Sequence, residues 1–202
     1  MKNLLIIFII LINALRATGQ DCSQNSLSNF FNFNTKLTRI HTDNLFDSCI
    51  VELKVYNKSN NKLIQTIEFS STYFFEKVFN DCNNVRSYIT EKNQHIDVED
   101  NDFGDLIVAD FNFDKKDDFA LKKDSGGNGG PVYIFYIQND NGEFEVDSFL
   151  SENMNFFPSK IDANKRTLTT LVHANVYEMC KKTYKLNSNN YWIMAKKRFV
   201  KY

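Results

Sequence analysis

The stretch IVELKVYN, Ile50 to Asn57, sets Val51, Leu53 and Val55 against Glu52, Lys54 and Tyr56 in strict alternation. Side chains of a β-strand point to opposite faces at every step, so this period of two predicts a strand with one face buried. The polar turn NKSNN, residues 57–61, follows, and KLIQTIEF (62–69) reads as the returning strand of a hairpin.

Further along, the same signal recurs. DLIVAD (105–110), DDFALKK (117–123), PVYIFYIQ (131–138) and FEVDSFL (144–150) are followed by FFPSKID, RTLTTLVHAN, VYEMCKKTYKL and YWIMAKKRFV, with the turns QNDNGE, SENMN, DANK and NSNN between them. Short apolar segments divided by Asn, Asp and Gly at this spacing predict an all-β protein, an antiparallel β-sandwich or barrel-like domain. Residues 20–45, polar with scattered Phe (NFFNFNTKL), are expected as a short helix or an extended arm ahead of the β-rich domain 46–202, and a short helix is expected near Glu76–Asn80. No tandem repeat runs through the chain.

The N-terminus, MKNLLIIFIILINALRATGQ, has a basic start, an apolar run from Leu4 to Leu15 and small residues at Ala17-Thr18-Gly19. This pattern predicts a secretory signal over residues 1–19, and the run is short for a transmembrane span. Asp21 directly before Cys22 does not fit a lipidation site. The expected mature protein is exported, to a periplasm or beyond the cell, with no membrane span. Its 22 basic and 25 acidic residues, after loss of Lys2 and Arg16, give a net charge of −3. Such a balance carries no global nucleic-acid signature. Export permits disulfides among Cys22, Cys49, Cys82 and Cys180, and the sequence leaves their pairing open, including a single bridge beside two buried thiols.

Charge is uneven. Nine acidic residues lie between Asp97 and Asp118, whereas Lys181, Lys182, Lys185, Lys196, Lys197 and Arg198 make the C-terminal end basic, which reads as solvated strand faces. Within the acidic region, VADFNFDKKDDFAL places Asp110, Asn112, Asp114 and Asp118 at positions 1, 3, 5 and 9 of a loop between two apolar strands. Oxygen side chains at alternate residues of a tight loop converge on one side, as a hard cation with six to eight oxygen ligands requires. The expected ion is calcium, with the backbone carbonyl of Lys116 at position 7 and affinity of roughly 10⁻⁴–10⁻³ M. Phe111 and Phe113 are expected to anchor the loop to the core. Position 12 is Leu121 where an EF-hand has Glu, and the flanks read as strands, which disfavours an EF-hand.

Beyond it lies DSGGNGGPVY, Asp124 to Tyr133, with four of the seven glycines in the chain. Such a cluster answers either to backbone needs, as in a wide hairpin with Pro131 starting an edge strand, or to close approach of another molecule. A nucleophile elbow around Ser125, metal spacing among His41, His95 and His173, a P-loop and a dinucleotide fingerprint are all missing, so the chain reads as a non-enzyme.

The loop Asp110–Asp118, with Phe103-Gly104 upstream, resembles the calcium loop of FG-GAP or VCBS-type repeats, with Lys115 where those repeats usually have Gly. One copy implies the loop without the propeller. GDLIVADFNFDKKDDFALKKDSGGNGGPVYIFY as a whole resembles a family of exported bacterial proteins that pair one such loop with a Ser-Gly-Gly-x-Gly-Gly-Pro-x-Tyr loop, a likeness that spans roughly residues 100–190. Members of that family include periplasmic immunity proteins, similar to lysozyme inhibitors. The resemblance implies a peptidoglycan hydrolase as protein partner, with Ser125, Gly126, Gly127, Asn128, Gly129, Gly130 and Tyr133 entering its cleft. From another class, a calcium-stabilised adhesion or glycan-binding module fits the same composition.

Overall fold

The computed structural model describes residues 19–40, 48–71, 87–89 and 101–201, so Cys82, His41, His95 and the helix expected near Glu76–Asn80 lie outside the described residues. Thirteen strands are present among those described. In chain order they are β1 (Gly19–Gln24), β2 (Phe31–Ile40), β3 (Ser48–Asn57), β4 (Leu63–Ser71), β5 (Ser87–Ile89), β6 (Leu106–Ala109), β7 (Asp118–Asp124), β8 (Val132–Gln138), β9 (Phe144–Val146), β10 (Lys160–Asp162), β11 (Thr167–His173), β12 (Glu178–Leu186) and β13 (Trp192–Lys201). They form three sheets in the orders β1-β2-β3-β4, β5-β6-β7-β8-β9 and β10-β11-β12-β13. All pairings between the described strands are antiparallel except β5 with β6. The all-β expectation holds, in three sheets.

The layering follows from side-chain parity. Leu106, Val108, Phe119, Leu121 and Tyr136 leave one face of the middle sheet and meet Phe31, Phe33, Leu53, Val55 and Ile67 of the first. Ile107, Ala109, Ala120, Tyr133 and Phe135 leave the other face and meet Leu150, Met154 and Phe157, together with Leu168 and Tyr184 of the third sheet. A sheet covered on both faces reads as continuous apolar runs, which is why β6 is simply LIVA, buried at every residue.

The N-terminal arm is extended, not helical, and is paired into the first sheet. Residues 19–24 and 31–40 are strands, and β2 pairs with β3 over ten residues, Phe31 opposite Asn57 through Ile40 opposite Ser48. Phe31, Phe33, Thr35 and Leu37 point inward, alternating with Asn32, Asn34 and Lys36. The period of two in FNFNTKL decides the matter over the weak helical content of its neighbours. The strand expected over FEVDSFL is also shortened. After Val146 the chain turns into a π-helical segment, Phe149–Met154, where the Asp147 carboxylate accepts the Leu150 N–H at 2.8 Å.

Cys22 is disulfide-bonded, whereas Cys49 and Cys180 are free thiols. The basic C-terminal end is the β12–β13 ribbon, with β13 the exposed edge of its sheet. Lysines along an open edge discourage pairing with a further strand.

Candidate functional site

Two loops of the middle sheet hold the residues singled out by sequence, and β7 separates them. The acidic loop joins β6 to β7, and the glycine loop joins β7 to β8. With about 3.3 Å of rise per residue, the seven-residue β7 holds the two loops roughly 20 Å apart, at opposite ends of the molecule. The acidic loop therefore does not brace the glycine loop directly.

In the acidic loop the carboxylates serve the loop's own amides. Asp110 accepts N–H bonds from Asp114 at 3.1 Å and Lys115 at 2.8 Å. Asn112 Oδ1 accepts from Asp114 at 3.0 Å, and Asp114 Oδ1 from Lys116 at 2.9 Å. Asp118 is wholly buried and accepts from Phe111 at 2.8 Å and, across the sheet, from Gln138 at 2.9 Å. Among the described residues no three His, Cys, Asp or Glu side chains stand as a metal-holding group. The Lys116 ammonium meets Asp140 at 2.9 Å and Asp114 at 3.8 Å, supplying positive charge at the rim. Phe111 and Phe113 anchor the loop as expected, Phe111 against Phe135 at 5.1 Å and Phe113 against Trp192 at 6.1 Å between ring centroids. Lys115 has φ 70°, the left-handed conformation that glycine adopts without steric cost.

Burial pushes the Asp118 carboxyl up to about 7 from an ordinary 3.8, with the Asp114 and Asp110 charges adding to it. Between those values the folded protein holds more protons at this site than the unfolded chain does. Its contribution to stability is fully present below pH 3.8 and is lost as pH rises through about 7. In chelator-containing buffer, urea unfolding from pH 4 to 8 is expected to show this decline, at no more than about 1.4 kcal/mol per pH unit. Asp118→Asn removes this site's share of the slope; a variant with the wild-type slope would contradict the assignment.

The glycines of the second loop have backbone reasons. Gly126, Gly127 and Gly130 have φ of 68°, 63° and 89°. A Cβ on Gly126 would fall 1.9 Å from the Gly130 carbonyl oxygen, and one on Gly129 would fall 3.0 Å from the Phe156 ring and 3.2 Å from Val172. Gly127–Gly129 form a single 3-10 turn, and the Asp124 carboxylate accepts the Gly126 N–H at 3.0 Å. Ser125, Gly126, Gly127 and Asn128 are exposed, Gly129 is half-buried and Gly130 is buried. Pro131 does not begin an edge strand, because β8 lies between β7 and β9.

Tyr133 differs from its expected role. It is 1 % exposed, its hydroxyl donates to the Gly104 carbonyl at 3.0 Å, and its ring lies 5.5 Å from that of Phe157. Strand parity puts Tyr133 on the same inward face as Phe135, so it forms core and does not enter a partner's cleft. In its place the β11–β12 turn presents Val176 and Tyr177, 84 % and 77 % exposed. This turn stands at the glycine-loop end, since Val172 near the end of β11 borders Gly129. Val176 and Tyr177 were missed because in the sequence they read as the start of a strand, VYEMCKKTYKL.

Beneath the glycine loop, Lys122 is fully buried and its ammonium contacts Asp102 and, at 2.8 Å, Asp105. His173 belongs to β11. No helix among the described residues is long and apolar enough to cross a membrane.

No protein-family model and no curated protein matches the sequence. Among solved structures, the chain is similar to one described as "Structure of a Xanthomonas Type IV Secretion System related protein". The TM-score is 0.58 at 14% identity, over 90% of this chain and 82% of that one. The fold is shared. At that identity the likeness extends to architecture alone.

Proposed function

We propose that this chain is an exported, calcium-binding inhibitor of a lysozyme-like peptidoglycan hydrolase, and that it docks with the end carrying the glycine loop. The observation that carries the reading is the make-up of that end. A narrow tip, Ser125 to Asn128, stands exposed on a turn fixed by three left-handed glycines, with the solvent-facing Val176 and Tyr177 nearby. An ordered tip loses little entropy on binding, and tyrosine is enriched among residues that dominate interface energies. A lysozyme-like cleft holds two carboxyl groups, and N–H groups of a glycine turn together with the Ser125 hydroxyl are suitable donors to them. The fold's likeness to a protein described as related to a type IV secretion system agrees with export.

Calcium rests on donor chemistry. Asp110, Asn112, Asp114 and Asp118 crowd oxygens into one loop, where burial and mutual repulsion raise the carboxyl pKa values of Asp110 and Asp118. A cation held there by these four side chains and the Lys116 carbonyl would relieve that repulsion and fix the loop. Calorimetric titration of calcium is expected to show binding that Asp114→Ala removes; equal heats for both proteins, or a melting temperature indifferent to chelator, would count against the ion. For inhibition, the mature protein is mixed with a panel of lysozyme-fold hydrolases, with and without calcium. Slowed peptidoglycan turnover by at least one is expected, and normal turnover throughout contradicts the reading.

A further inference from the structure

At the end of the molecule opposite the glycine turn, an open groove of about 570 Å³ lies among four loops. The β1–β2 loop contributes Asn29 and Phe30, the end of β8 Gln138, the β8–β9 turn Asn141, and the acidic loop Lys115 and Asp117, while the β3–β4 turn closes the far side. These loops are cross-braced. Buried Ser28 donates to Asp117 Oδ2 at 2.6 Å and accepts the N–H groups of Phe30 and Phe31 at 2.8 and 2.9 Å. The Lys58 N–H reaches the Phe30 carbonyl at 2.8 Å, and Asn139 Oδ1 accepts from Asn141 and Glu143 at 3.0 Å each.

Within this rigid frame several groups have nothing to do. The side-chain amides of Asn29, Gln138 and Asn141 make no hydrogen bond among the described residues, and Phe30 is 61 % exposed. We propose that this groove binds a neutral oligosaccharide. Each amide offers a donor and an acceptor side by side, which suits the neighbouring hydroxyls of a sugar ring. An exposed aromatic face suits the apolar C–H face of the same ring. Lys115 is offset by Asp117, and Lys116 by Asp140 at 2.9 Å, so the walls carry no strong field to favour an ionic ligand. A peptide would be gripped through main-chain bonds along an open strand edge, whereas the free polar atoms here are side-chain amides. The braced loops also lower the ordering cost of binding.

The test uses the mature chain with chitotetraose and cellotetraose, followed by nuclear magnetic resonance of the side-chain amides. Saturable shifts of Gln138 and Asn141 are expected with at least one sugar. Phe30→Ala and Gln138→Ala should each weaken binding about tenfold or more, at little changed melting temperature, because Phe30 is exposed and Gln138 is only half-buried. No saturable shift with either sugar at millimolar concentration overturns the proposal, as does binding indifferent to both substitutions, or a preference for heparin. The groove stands apart from the glycine tip, so sugar binding is expected to survive tip substitutions that abolish inhibition, and its failure would leave the inhibitor reading intact.

Discussion

Lys122→Met is expected to lower the unfolding free energy by about 3–5 kcal/mol, as breaking a buried ion pair from one side does. The Lys122 ammonium is wholly buried and contacts Asp102 and Asp105, whose side chains are only 19% and 2% exposed. Methionine fills much the same volume, so the loss would come from carboxylates left in the core with no cation beside them, and not from a cavity. Urea unfolding measures it. Adding Asp102→Asn and Asp105→Asn to the same protein should return most of the stability, because the penalty belongs to the uncompensated charge. A single variant that loses less than about 1 kcal/mol, the range of an exposed pair, would show that water reaches the cluster.

The second large effect concerns two adjacent glycines that the sequence makes look equivalent. Gly126 and Gly127 share the left-handed region, at φ 68° and 63°. Alanine at Gly127 meets open space, so it should cost only the conformational penalty of about 1–2 kcal/mol. Alanine at Gly126 must also escape a backbone oxygen 1.9 Å away, which forces the turn open. Gly126→Ala is therefore expected to cost clearly more than Gly127→Ala in unfolding free energy, and to abolish inhibition where Gly127→Ala weakens it. Equal losses for the two would mean that the Gly126–Gly130 approach does not persist in solution.

Much of this architecture is legible from alternation. Val51, Leu53 and Val55 announce β3, and the parity of Phe31, Phe33 and Leu37 favours the extended form of the arm over the helical one. What alternation does not carry is the meaning of a strand that is apolar at every step. In PVYIFYIQ both faces are hydrophobic because both faces of the middle sheet are covered, so the pattern does not say that Tyr133 points inward. Lys122 is hidden for a related reason. DDFALKK shows two lysines in succession, and only the partners Asp102 and Asp105, from a loop some twenty residues earlier, reveal which of them is interior. The acidic loop was readable as a loop with aromatic anchors, since Phe111 and Phe113 alternate with its oxygens. The glycine cluster is readable as a constraint, but which glycine answers to which neighbour depends on the fold. Gly126, Gly127 and Gly130 answer to the backbone and Gly129 to the Phe156 and Val172 side chains, and Ser125 to Asn128 form the exposed tip.

On the proposed reading, the end bearing Ser125–Asn128 and Tyr177 faces a hydrolase. The most direct measurement is turnover of peptidoglycan by a lysozyme-like hydrolase at increasing concentrations of wild-type protein, Asn128→Arg and Tyr177→Ala, with melting temperatures compared first. Inhibition by the wild type, weakened about tenfold or more by each surface substitution at unchanged stability, is the predicted result; full turnover with the wild type, or inhibition that both variants retain, would contradict it.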